Sequence, residues 1–149
     1  MPALLASDND IKSFSKTGQR RDLNREKFKF DNLSSILENP NSNAHKNLKY
    51  LRNAMDIRSK MRQFHPHSKM QCLSKDRSDI VVIKRGEGVE AVFAIHNMTS
   101  NKINYQLKDK ELYDLNEEKF NMNDYLTSNK YNCNNIILDP FQVIWLGCL

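Results

Sequence analysis

Asp79–Arg85 reads DIVVIKR, Gly86-Glu87-Gly88 follows, and Val89–His96 reads VEAVFAIH. Two short runs of β-branched and aromatic side chains on either side of a glycine turn predict a β-hairpin, because glycine enters the positive-φ region that tight turns need. Working outward, Met70–Leu73 reads as a short strand before the hairpin, and Ile103–Leu107 (INYQL), alternating apolar and polar, as another after it. Leu112–Leu115 reads as a ragged edge. The asparagine-laden stretch 116–135 reads as loop, with a helical turn near Met122–Leu126. Ile136–Leu138, a turn at Asp139-Pro140 and Phe141–Leu146 (FQVIWL) close the chain. About five to seven short strands in succession predict a small antiparallel sandwich, with Trp145 buried in its alternating last strand.

Upstream the period changes to that of helices. Leu33, Ile36 and Leu37 fall at i, i+3 and i+4 behind Asp31, which is placed to cap a short helix that Asn39-Pro40 stops. Asn41 or Ser42 can cap a longer helix whose face is Ala44, Leu48, Leu51 and Met55, widened by Tyr50, Ala54, Ile57 and Met61. His65-Pro66 is expected to end it. Residues 1–30 carry no sustained period and read as a polar surface connection containing Gly18. The expected organisation is α+β, with helices in residues 1–66 and an antiparallel β domain in residues 67–149.

Composition narrows the function classes. At 149 residues the chain can bury one ordinary core. It is too short for a complete (β/α)₈ barrel, which needs about 250 residues. The apolar runs at Ile80–Ile83 and Val143–Leu146 fall far below the roughly 20 residues of a membrane span. Met1–Ala6 lacks the basic leader and hydrophobic length of a secretion signal, so the cytoplasm is the expected compartment. Cys72, Cys133 and Cys148 are odd in number and widely spaced, which fits neither a disulfide framework nor a zinc site. The net charge of +5 brings nucleic acid into question. The basic run Lys16–Lys29 is, however, interrupted by Asp22 and Glu26 and lacks a stacking platform, so nucleic acid is not the expected partner.

Seven segments, in one order along the chain, carry a family resemblance. Thr17–Phe28, TGQRRDLNREKF, resembles the loop after the eighth barrel strand in the α-amylase-superfamily sugar phosphorylases, the group of sucrose phosphorylase and glucosylglycerate phosphorylase, where an R-D/S-I/L-N-R core recurs. Leu4–Asp10, LLASDND, is similar to that family's L-L-G-S-R-N-D stretch, with Ala6 in place of glycine and Asp8 in place of a basic residue. Further on, Asn39-Pro40-Asn41-Ser42, Ile57-Arg58 and Gln63-Phe64-His65-Pro66 resemble the opening, end and exit of the family's last barrel helix. VFAIHNMTSNKINYQL and IILDPFQVIWL resemble the start and the closing strand of its C-terminal β domain.

The resemblance implies the end of a (β/α)₈ barrel, as a loop plus two helices, followed by a small antiparallel β-sandwich. It implies glucosyl transfer from sucrose, glucosylglycerate or a related glucoside to phosphate, by a retaining double displacement that uses two carboxyl groups. Neither catalytic motif is matched here, so no catalytic residue is assigned and the chain alone is expected to be inactive. Sugar and phosphate are then partners only when a barrel, for instance an upstream half-enzyme, completes the site. No cofactor or metal is expected. Arg21 is the one substrate-binding candidate: it matches the first arginine of the core, and a guanidinium offers the fixed fork that binds hydroxyls and phosphate oxygens. Asn24 and Arg25 are expected to brace the loop.

The remaining readings are structural. His65 and His67 could share a metal only if further ligands converged, and otherwise form a turn. The helix face over 42–62 is expected to be left apolar and exposed without the rest of a barrel, favouring self-association. A free-standing carbohydrate-binding sandwich would instead need exposed aromatics along one strand face, and a nucleic-acid-binding protein would act through the basic loop.

Overall fold

The computed structural model describes residues 2–23, 27–108 and 121–148. The chain divides into two compact units, Met1–Asp56 and Ile57–Leu149.

In the second unit the expected hairpin forms. β1 (Met70–Cys72), β2 (Ile80–Arg85) and β3 (Val92–Asn97) pair antiparallel in sequence order, and Ile83 faces Ala94 across the hairpin. Its loop is longer than the glycine turn alone, since Gly88–Glu90 forms a 3₁₀ turn; Gly86 and Gly88 stand at φ 80° and 59°, which only glycine adopts freely. β8 (Val143–Gly147) pairs with the other side of β3. β5 (Asn121–Asp124) and β6 (Lys130–Asn132) complete a six-stranded sheet of order β1-β2-β3-β8-β5-β6. β4 (Ile103–Tyr105) and β7 (Ile136–Leu138) form a second, two-stranded sheet.

One core joins the two sheets. Ile80, Val82, Phe93, Ile95, Ile144 and Leu146 from the large sheet meet Tyr105, Ile136 and Leu138 from the small one. The period of two places these residues inward on alternating positions. Lys84 is the third inward residue of β2 and only 4% exposed; its ammonium lies 5.7 Å from the ring centroid of Phe93, its register partner. The face of a ring suits a cation in that place.

Two expectations for this unit are corrected. Met122–Leu126 is not a helical turn: β5 runs through Met122, which is buried and paired with Tyr131, and the turn comes only after Asp124. Tertiary pairing overrides the polar character of this stretch, and β6 escapes sequence reading for the same reason. Trp145 is half-buried: it points away from the core side of Ile144 and Leu146 and rests on Phe64, ring centroids 4.7 Å apart. The expected strand over Leu112–Leu115 lies outside the described residues.

The first unit is helical. Residues 2–23 are more than a connection, forming α1 (Pro2–Leu5), α2 (Ile11–Thr17) and α3 (Arg20–Leu23). Asp10 caps α2 by accepting from the Ser13 N–H at 2.9 Å, and Gly18 ends it in the left-handed region. α4 spans Phe30–Glu38 with Lys29 at its N-cap and no side-chain cap, so Asp31 lies in the first turn and does not cap. α5 spans Asn43–Lys60, where Ser42 Oγ accepts from the His45 N–H at 3.0 Å as a cap. α5 stops short of His65-Pro66, because Met61 turns extended and Arg62–Phe64 forms a separate 3₁₀ turn. Along α5 only Ala44 is buried, while Met55 is 68% exposed. No described helix is long and apolar enough to cross a membrane.

Candidate functional site

The segment carrying Arg21 is a folded turn built from short-range bonds. Leu5 is buried, and Asn47 Nδ2 on α5 donates to the Leu4 carbonyl at 2.8 Å. Ala6, where the resembling sequences have glycine, takes φ 47°, the left-handed conformation that glycine adopts without strain. The Asp10 N–H donates to the Leu23 carbonyl at 2.7 Å, which folds α3 back along α2. Thr17 Oγ1 donates to Asp22 Oδ2 at 2.6 Å and accepts from the Gln19 N–H at 3.2 Å. Arg21 stands on α3, exposed, between these fixed points.

The bracing is therefore done by Asp10, Thr17 and Asp22. The signal that could have found it is the Asp10-x-x-Ser13 cap box and Gly18. Asn24 and Arg25, expected as braces, lie outside the described residues. The Asp10 carboxyl is held below its usual range by the Ser13 hydroxyl first and the Ser13 N–H next. An acid fixed in its charged form caps a helix and does not donate protons at neutral pH.

A cleft of about 600 Å³ opens in the second unit beside the histidine turn. The turn is tied to the sheet: Arg85 donates from Nε to the Gln63 carbonyl at 3.1 Å and from Nη2 to the His65 carbonyl at 2.7 Å, and Gln63 Nε2 donates to the Glu90 carbonyl at 2.9 Å. Its charges are matched in pairs, Arg62 with Glu90 and Lys69 with Glu87. The His65 and His67 rings lie 5.3 Å apart, and His65 Nδ1 accepts from the His67 N–H at 3.3 Å. That bond occupies one ring nitrogen, and among the described residues no three His, Cys, Asp or Glu side chains are grouped to hold a metal. This is a self-compensated turn.

Two buried polar groups are structural. Asp124 is 0% exposed; its carboxylate accepts from Trp145 N at 2.8 Å, Leu126 N at 3.1 Å and Thr127 Oγ1 at 2.6 Å, stitching β8 to the turn after β5. Asn97 Nδ2 donates to the carbonyls of Asn101 at 2.7 Å and Asp139 at 2.8 Å, joining the ends of β3 and β7. Asp79 is tied to Arg77, whose guanidinium holds that carboxyl below its usual range. Cys72 is exposed, Cys148 half-buried and Cys133 buried, and burial pushes the Cys133 thiol up to about 11. Among the described residues, the large exposed aromatics are Phe30, Tyr50 and Phe141, and none lies on a strand. The carbohydrate-binding sandwich reading asked for a strand-face platform, and the described aromatics do not supply it.

Fold comparison places this architecture in a class. The crystal structure of AmyP bound to maltotriose superposes with a TM-score of 0.60 at 15% identity, covering 73% of this chain and 22% of that one. An Anoxybacillus α-amylase superposes with a TM-score of 0.55 at 17% identity, covering 74% of this chain and 24% of that one. At such identities the likeness concerns the fold alone. No family model matches.

The chain is also similar to glucosylglycerate phosphorylase of Allomeiothermus silvanus, 34% identical over 97 residues, which is 65% of this chain and 17% of that protein. The chain is thus similar to a sugar phosphorylase in sequence and to an α-amylase in fold. It spans less than a fifth of the length of that phosphorylase.

Proposed function

We propose that this chain is the C-terminal part of a retaining glycoside phosphorylase that moves a glucosyl unit from glucosylglycerate, sucrose or a related glucoside to phosphate in the cytoplasm. The chain alone does not turn over. The observation that carries this reading is the 34% identity to glucosylglycerate phosphorylase over 97 residues. In this reading the helices of the first 66 residues finish a barrel. Arg21 on its fixed turn reaches toward sugar and phosphate oxygens.

A retaining enzyme needs a carboxylate nucleophile and a carboxylic acid about 5–5.5 Å apart. Asp10, Asp79 and Asp124 are each committed to hydrogen bonds that fold the chain. Arg21 cannot replace a nucleophile or a proton donor, because a guanidinium stays protonated and offers no covalent route.

The test is a coupled assay for glucose 1-phosphate from glucosylglycerate and from sucrose in phosphate buffer. The chain alone should give none. Mixed with a separately expressed barrel portion of the phosphorylase it resembles, it should restore turnover, and Arg21→Lys should reduce that turnover at least about tenfold, since a lysine lacks the two-pronged contact. Turnover by the chain alone would refute the division of labour; full activity with Arg21→Lys would remove Arg21 from the site.

A further inference from the structure

The helical unit contains a groove to which the proposed function assigns no ligand. It has a volume of about 410 Å³ and is lined by Leu37 of α4 and by His45, Leu48, Lys49 and Arg52 of α5. The four α5 residues stand at i, i+3, i+4 and i+7, one face of the helix. Leu37 and Leu48 are half-buried and form an aliphatic floor, while Lys49 and Arg52 are exposed at the rim. The walls are pinned together: His45 Nδ1 lies 2.7 Å from the Leu37 carbonyl, an acceptor only, so the ring donates there.

Charge gives the groove a direction. Among the described residues its lining contains no carboxylate. Among the described residues Lys49 and Arg52 are in no ion pair, in contrast to Arg62, Lys69, Arg77 and Lys102, each of which faces an acid. The volume lies within the range of about 300–1,000 Å³ typical of ligand sites. Among the described residues no Phe, Tyr or Trp lines the groove, and the His45 ring is tied to the Leu37 carbonyl, so single-stranded nucleic acid finds no run of rings to stack on.

We propose that this groove docks an acidic peptide segment, which seats one leucine-sized apolar side chain on Leu37 and Leu48 and sets carboxylates against Lys49 and Arg52. The apolar floor supplies burial but no selectivity. The rim supplies selectivity, since an Arg fork and a Lys point charge favour carboxylates and repel basic segments. Leu48 also belongs to the face expected to pack in a complete barrel, so this docking belongs to the chain without one, and it does not involve Arg21.

Fluorescence anisotropy on the full chain tests it, using fluorescein-labelled peptides that alternate leucine with glutamate or leucine with lysine, and labelled oligouridylate. The glutamate peptide should bind, and added salt should weaken it. Lys49→Glu/Arg52→Glu should weaken it about tenfold or more, the scale of two rim contacts reversed. Lys49→Gln/Arg52→Gln should give a smaller loss, and Lys130→Glu on the other unit none. Circular dichroism checks that each variant is folded; if the double reversal unfolds, the glutamine pair decides. No binding by the glutamate peptide, equal binding of the lysine peptide, an affinity unmoved by the rim variants, or tighter binding of oligouridylate would each overturn the proposal.

Discussion

The two units stabilise themselves in different ways. In Ile57–Leu149 thirteen buried residues, from both sheets and the loops beside them, form one cluster. In Met1–Asp56 the described buried apolar side chains are Leu5 and Ala44, and the helices are held by caps, by Asp10 to Leu23 and by Asn47 to Leu4. Burial of apolar area is the dominant stabilising term, and each hydrogen bond adds only about 1 kcal/mol net. The sheet unit therefore carries its own stability. The helical unit leaves Phe30, Ile11 and Met55 in water.

The largest effect should separate the units directly. Phe93→Ala removes a ring that is 1% exposed at the centre of the sheet and should cost about 3–5 kcal/mol. Leu48→Ala on half-buried α5 should cost under about 1 kcal/mol. Urea melts followed by circular dichroism measure both, and similar losses would erase the distinction.

Next comes Asp124→Ala. It strands the Trp145 and Leu126 N–H groups and the Thr127 hydroxyl, and should cost about 2–3 kcal/mol, with Asp124→Asn milder. A loss below about 0.5 kcal/mol in the same melts would show that water replaces the carboxylate there. Trp145→Ala should cost about 2 kcal/mol, less than full burial would give, because the indole is only half-buried against Phe64. Phe64→Ala in the Trp145→Ala background should then add little, which a double-mutant cycle reads out.

The smallest effect is a pH slope. His96 is half-buried between Val81 and Val143, and desolvation lowers its pKa. The unfolded imidazole takes a proton first, near its ordinary 6.5, so the native state binds fewer protons. Stability is then complete above that value and declines as pH falls through it. His96→Gln should flatten the slope of unfolding free energy between about pH 7 and about pH 5. An unchanged slope would place the titrating group elsewhere.

What sequence reading reached follows the same division. The hairpin, β1, β4, β7 and the closing strand were legible because alternating β-branched residues and glycines at the turn agree with one another. β5 and β6 were not, since Asn121, Asn123, Lys130 and Asn132 are polar and only Met122, Asp124 and Tyr131 face inward or pack on the core. α2 and α3 were missed because neither buries an apolar stripe, and their signals are single residues, Asp10, Ser13 and Gly18. Arg21 was singled out only through resemblance, since an exposed arginine on a short helix carries no mark of function in its own geometry.

Native-state hydrogen exchange of the full chain, alone and with the barrel portion of the phosphorylase added, tests the contrast most directly. The account predicts that amides of β2, β3 and β8 are protected to the level of global unfolding in both samples. Amides of α2, α4 and α5 should exchange at least about a hundredfold faster in the chain alone and slow down when the barrel portion is present. Helices protected as strongly as the sheet in the chain alone, or unmoved by the added barrel, would contradict it.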